Sequence, residues 1–163
     1  MGANKSRPHV LVLPEDKANL QVANGFHLEV PWNRQRQMQV LREAGGWNQV
    51  IELFESVHAT EMHRNDNRFM VLLIDLDGRP ERLANARARI PENLNQRVFI
   101  LGAWTEPEAL RPELGTYEAI GAAMARSCRE GADGIWQHHL LHHNMHEVER
   151  LLERVRPILF PPN

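Results

Sequence analysis

One segment constrains the fold more than any other: Arg68-Phe-Met-Val-Leu-Leu-Ile-Asp-Leu-Asp-Gly-Arg79. Six apolar residues in a row, rich in branched and long aliphatic side chains and too few for a helix, read as a strand buried on both faces, the kind found in parallel sheets. The run stops abruptly at Asp75 and Asp77. In open α/β sheets, ligands gather outside the carboxyl ends of the strands. If the strand continues through the acids, two carboxylates at a spacing of two project to one side. They repel unless a cation lies between them, so the pattern points to a divalent metal. The structural alternative is a pair of acids capping the helix that follows, since acids favour helix N-termini.

Strand and helix signals alternate along the rest of the chain. His9-Val-Leu-Val-Leu-Pro14 reads as a first strand, followed by a helix over residues 17–26 that closes at Asn24-Gly25. Residues 38–42 form a weaker second strand, ended by Ala44-Gly45-Gly46. Trp47, Val50, Ile51, Phe54 and Val57 recur at helical spacing and predict a helix over 47–63. The third strand spans 69–75, a short Ala- and Arg-rich helix covers 79–90, a loop covers 91–95, and the fourth strand spans 97–102. The remainder reads as two helices, 116–130 and 135–156. This order predicts an α/β fold with a mostly parallel, four-stranded, Rossmann-like sheet flanked by helices. The 163 residues suffice for a single domain, with an α/β core over 8–105 and a helical carboxyl-terminal segment over 106–163.

Composition removes some classes of function. The net charge of -2 is too close to neutral for a broadly basic nucleic-acid binder, although seventeen of the nineteen cations are Arg, the residue suited to bidentate contacts. A single Cys128 excludes an internal disulfide. No apolar run approaches the roughly 20 residues that cross a bilayer. The expected setting is therefore the cytoplasm, without a membrane partner.

The first strand also ends in acids, at Glu15 and Asp16. In a parallel sheet Glu15 falls at the same edge as Asp75. Glu15, Asp75 and Asp77 would make an oxygen-rich cluster of the kind that takes Mg²⁺ or Mn²⁺. Such a cation polarises a phosphoryl oxygen and generates a hydroxide nucleophile.

The order strand–Glu15, helix, strand, helix, strand–Asp75-Leu-Asp77, helix, strand resembles the TOPRIM domain of topoisomerases, bacterial primases and overcoming-lysogenization-defect nucleases. The resemblance covers residues 8–105. It implies catalytic roles for Glu15, Asp75 and Asp77, with the same three residues holding Mg²⁺ or Mn²⁺. Acids after the fourth strand help hold a second metal in small nucleases of this kind, and Glu106 and Glu108 stand where they would do so. First-turn acids beside a proline are the structural alternative for that pair. The chain departs from the family at Asp16, where Gly is usual, and at Asn19, where Asp is frequent. The stretch from Leu13 to Phe26 is similar to bacterial proteins associated with ABC-type ATPases. The resemblance therefore implies a nuclease or phosphodiester-transfer subunit acting on DNA or RNA with an ATPase partner in phage defence. The competing reading is a catalytically degenerate regulatory or toxin-type binding subunit of such a complex.

Two look-alikes fail on single residues. Asp75-Leu-Asp-Gly mimics the haloacid-dehalogenase motif, but Arg79 stands where a Thr belongs. A receiver-like domain needs a late Lys, and none follows Lys17. Lys17 and Arg79 are candidate phosphate contacts, and Asn19 is either a hydrogen-bonding support or a polar helix position. Five of the nine histidines fall in Gln137-His-His-Leu-Leu-His-His-Asn-Met-His146. On a continuous helix His138, His142 and His146 step by four, a spacing that can hold Zn²⁺, although a polar flank is the commoner explanation. The terminal Pro157-Ile-Leu-Phe-Pro161 is an apolar tail that docks on its own domain or in a second subunit of a homo-oligomer.

Overall fold

The computed structural model describes residues 2–162. Four strands form one all-parallel sheet in the order β2-β1-β3-β4. They are β1 (His9–Pro14), β2 (Met38–Val40), β3 (Arg68–Leu73) and β4 (Val98–Leu101). In register, β1 aligns His9 with Arg68 and Pro14 with Leu73, so the tips of the two central strands meet at one edge. The predicted α/β architecture stands on this sheet.

Alternate residues of each strand enter opposite cores. Val10, Val12, Val71, Phe99 and Leu101 face one side; Leu11, Leu13, Met70, Leu72 and Ile100 face the other. The first core is covered by α1 (Lys17–Leu28), followed along the chain by α2 (Trp47–Leu53), α3 (Ala59–Arg64), α4 (Glu81–Ala88) and α5 (Arg111–Leu114), of which α2 to α4 cover the second. The first core is completed by α6 (Tyr117–Glu130), α7 (Met145–Arg154) and α8 (Arg156–Leu159). Residues after 105 thus complete, with α1, one layer of the sandwich. Ile158, Leu159 and Phe160 are buried in that layer, and the Phe160 ring lies 5.9 Å from Phe26. The apolar tail docks on its own core.

Two glycines let α1 and α6 approach closely. A side chain at Gly25 would strike the Glu118 backbone, and one at Gly121 would strike the Val22 carbonyl. The helix predicted over 47–63 is present, but a π-helical turn at Phe54–His58 joins α2 to α3.

Some predicted elements differ. The first helix does not close at Asn24-Gly25 but runs to Leu28, because Gly25 is a packing position against α6 rather than a terminator. The third strand stops at Leu73, short of Asp75, because the Asp75 amide donates to a side chain instead of to the ladder. The continuous helix expected over 135–156 is broken into 3-10 turns at Gly134–Gln137 and His142–Asn144 before α7 begins. The His138 ring is the reason: its Nδ1 accepts from the Leu140 amide at 3.1 Å, a local side-chain bond that competes with helix. The fourfold stepping of the histidines therefore does not exist. No described helix is long and apolar enough to cross a membrane.

Candidate functional site

The carboxyl edge of the sheet does bring Glu15 and Asp75 together. The Glu15 amide extends the β1–β3 pairing by donating to the Leu73 carbonyl at 3.0 Å. Its carbonyl is held by the amides of Gly45 and Gly46 at 2.9 and 3.1 Å, a turn that needs the positive φ of Gly45 (102°). So fixed, the Glu15 carboxylate bends back over β3, where Oε2 accepts the Asp75 amide at 2.8 Å.

Asp75 is the buried centre of the site, 5% exposed. Ile74 and Leu76 still pair with β4 and its extension, donating to the carbonyls of Leu101 and Ala103. This directs the Asp75 side chain inward, where Oδ1 accepts the Ala103 amide at 3.0 Å and Oδ2 accepts Asn19 Nδ2 at 2.7 Å. Gly102 allows the close approach, since a side chain there would meet the Ile74 carbonyl. Asn19 is itself buried and set by the start of α1: Asp16 is the N-cap, and its Oδ1 accepts both the Asn19 amide at 2.9 Å and Asn19 Nδ2 at 3.1 Å. Asp16 and Asn19, the two positions that differ from the TOPRIM pattern, are therefore one hydrogen-bonded relay that ends on Asp75.

Burial dominates the electrostatics. It pushes the Asp75 pKa up to about 7; the bonds from Ala103 and Asn19 oppose this, and the nearby Glu15 and Asp16 charges add to it. Glu15 is also raised, first by burial, against the bond from the Asp75 amide. The two acids share a pocket that resists holding two negative charges without a counter-ion.

Asp77 stands apart from this pair. It is exposed and in the left-handed region, φ 51°, followed by Gly78 at 68°. Its amide and that of Gly78 donate to Thr105 and Trp104. The two aspartates therefore do not project together from a strand. Arg82 bridges them: Nη1 donates to the Asp75 carbonyl at 3.2 Å and Nη2 lies 3.7 Å from Asp77 Oδ2. Its guanidinium also stacks over Trp47, 5.2 Å from the ring centre. Arg82 and Trp47 escape sequence reasoning because both reach the site from helix starts with no motif of their own.

Glu106 and Glu108 are exposed at the start of a 3-10 turn, Pro107–Leu110. Glu108 lines a shallow depression with Arg111 and Thr116. Lys17 and Arg79 are exposed beside the site. From the histidine segment, Asn144 reaches the same edge, clasping Gly102 through both its amide and its carbonyl at 3.2 and 2.9 Å. His143 packs edge-on to Trp104. Neither histidine nor asparagine contacts a carboxylate there.

Among the described residues, no group of three or more His, Cys, Asp or Glu side chains is gathered closely enough to hold a metal ion. The donor chemistry of Glu15 and Asp75 still fits Mg²⁺ or Mn²⁺, which take hard oxygen ligands and keep several waters. Asp77 would complete the set only by turning away from Arg82. Comparison with family models, curated proteins and solved structures returned no match.

Proposed function

We propose that the chain is a TOPRIM-like, metal-dependent nuclease or phosphodiester-transfer subunit whose centre is Asp75. The observation that carries this reading is the joining of Glu15 to Asp75 at the tips of adjacent parallel strands, in a pocket that raises both pKa values. Buried acids whose pKa values are raised by desolvation at a strand edge are candidates for a functional site. Glu15 and Asp75 would hold Mg²⁺ or Mn²⁺, with Asp77 joining them. Such a cation supplies charge neutralisation and a nucleophilic water. Glu15, coupled to Asp75, would accept a proton from an attacking water. Arg82 fixes the Asp75 backbone, and Lys17 and Arg79 offer cationic contacts for a nucleic-acid backbone. Glu106 and Glu108, exposed at the start of the 3-10 turn, would serve a second cation. With net charge -2, substrate affinity would come from a partner; the resemblance suggests an ABC-type ATPase in bacterial phage defence.

A second reading keeps the fold without catalysis, as a regulatory or toxin-type binding subunit. The observation favouring it is the relay from Asp16 through Asn19, which already engages Asp75 Oδ2. One experiment separates the two. Purified protein, alone and with the product of its neighbouring gene, is incubated with plasmid, linear DNA and RNA in Mg²⁺ or Mn²⁺ beside Asp75→Ala. Metal-dependent cleavage lost in the variant supports the first reading. No cleavage in any combination, with no cation bound by calorimetry, refutes it.

A further inference from the structure

The opposite edge of the sheet holds a second cluster of chemistry, unconnected to the acids. His9 and Arg68 are register partners at the amino ends of β1 and β3. Their side chains fall on the face shared by Leu11, Leu13, Met70 and Leu72, toward α2 and α3. His9 is fully buried and Arg68 is 6% exposed.

Their hydrogen bonds fix the proton positions. Arg68 Nε donates to His9 Nε2 at 3.2 Å, so that nitrogen carries a lone pair. His9 Nδ1 then carries the hydrogen and donates to the Arg7 carbonyl at 2.8 Å. His9 is a neutral post, with both nitrogens committed, that sets the plane of the Arg68 guanidinium. Burial and the Arg68 charge both keep its pKa low.

Arg68 itself is left unbalanced. Among the described residues no carboxylate lies within ion-pair distance of it, and neither Nη1 nor Nη2 takes a hydrogen-bond partner. An uncompensated, largely buried cation costs several kcal/mol. The charged groups nearby do not supply the anion. Lys5 adds positive charge on the His9 side. Arg97 donates to the Arg68 carbonyl and lies 3.9 Å from the exposed Asp66. Glu61 acts on His58 but pairs with Arg64.

His58 is the third member. The π-helical turn Phe54–His58 ends on it, and π turns inside helices recur at functional sites. Burial first, and then the charge of Arg68, lower the pKa of the half-buried His58.

We propose that Arg68 and His58, with His9 as a positioning residue, form an oxyanion site for a phosphate group at the amino edge of the sheet. The free guanidinium fork suits paired phosphate oxygens, and His58 adds a third donor from a second element. Binding is linked to protonation of His58 and strengthens as pH falls, because the anion favours the imidazolium and the imidazolium favours the anion. The site is independent of the nuclease reading, since no group in it touches Glu15 or Asp75.

The test is a histidine titration of the full chain by NMR, with inorganic phosphate, acetate, or sodium chloride at matched ionic strength. Phosphate should raise the His58 pKa, moving its titration midpoint back toward the ordinary histidine range, and Arg68→Lys should lose most of that rise by removing the fork while keeping the charge. His58→Gln, on a half-exposed position, should weaken phosphate binding measured by calorimetry several-fold at acid pH and leave it unchanged at alkaline pH. A phosphate effect matched by chloride, or retained in Arg68→Lys, overturns the site. An equal response to acetate overturns its assignment to phosphate.

Discussion

Replacing Asp75 by Asn should stabilise the metal-free protein at alkaline pH, although it alters the centre of the candidate site. Burial raises the Asp75 pKa from its ordinary 3.8 to about 7. At about 1.36 kcal/mol per pH unit, full ionisation of the folded state then costs about 4 kcal/mol relative to the unfolded chain. The sign follows from a raised folded pKa: stability is intact below pH 3.8, falls as pH rises toward about 7, and is flat beyond. Asn carries no such penalty but loses a bond, since its amide cannot accept from both the Ala103 amide and Asn19 Nδ2; that loss, about 1–3 kcal/mol, is independent of pH. The diagnostic is therefore the change in the mutant's advantage between about pH 5 and pH 8, about 2–3 kcal/mol. For a chain of this size it corresponds to roughly 5–10 °C in Tm. Thermal unfolding of both proteins in EDTA across that range measures it. A mutant advantage that does not vary with pH would refute the burial argument. Adding Mg²⁺ at pH 8 extends the test, because a cation bound through Asp75 raises the Tm of the native protein and leaves Asp75→Asn unmoved.

Other substitutions probe the surroundings. Asn19→Ala removes the donor to Asp75 Oδ2 and should destabilise by about 1–3 kcal/mol at pH 8 and by less at pH 5, read by urea denaturation. Gly121→Ala drives a methyl group into the Val22 carbonyl; forcing α1 from α6 should cost about 1–3 kcal/mol or more, and an unchanged urea midpoint would contradict the close crossing. Cys128 is buried, which pushes its thiol up to about 11, so reaction with a disulfide reagent at pH 8 should be orders of magnitude slower in the native than in the denatured chain. The first core encloses an apolar cavity of about 90 Å³ beside Ala23. Ala23→Val should fill part of it and raise stability by about 1 kcal/mol, after helix propensity is subtracted; a fall in the urea midpoint would show that the space is not available.

The sheet was legible because three of its four strands are built on short apolar runs, β2 (Met38-Gln-Val40) being the weak one, and their alternation with helices leaves one architecture. The site was legible only as far as each acid's fate depended on its own strand. Glu15 and Asp75 meet because adjacent parallel tips must. Asp77 escapes because a left-handed residue redirects its side chain, and a carboxylate two positions along gives no warning of that. Asn19 carries the signal of a polar residue one turn into a helix, yet its bond to Asp75 spans 56 positions. Arg82 and Trp47 meet across two helices, a contact no local pattern encodes. The histidine segment misled for a different reason: spacing by four suggests a helix, whereas the His138 ring captures the backbone amide that a helix would need.

Apart from α1, the layer that covers the first core is assembled from residues beyond 105, down to Phe160. During synthesis the strands therefore emerge with Val12, Val71 and Phe99 only partly covered, and the last helices complete the layer. A ribosome-bound chain lacking those helices would present a half-covered sheet face, a ready substrate for chaperones and for aggregation. Slow translation of the final stretch, or a stop codon within α7, should thus harm solubility more than an equal lesion in an exposed loop.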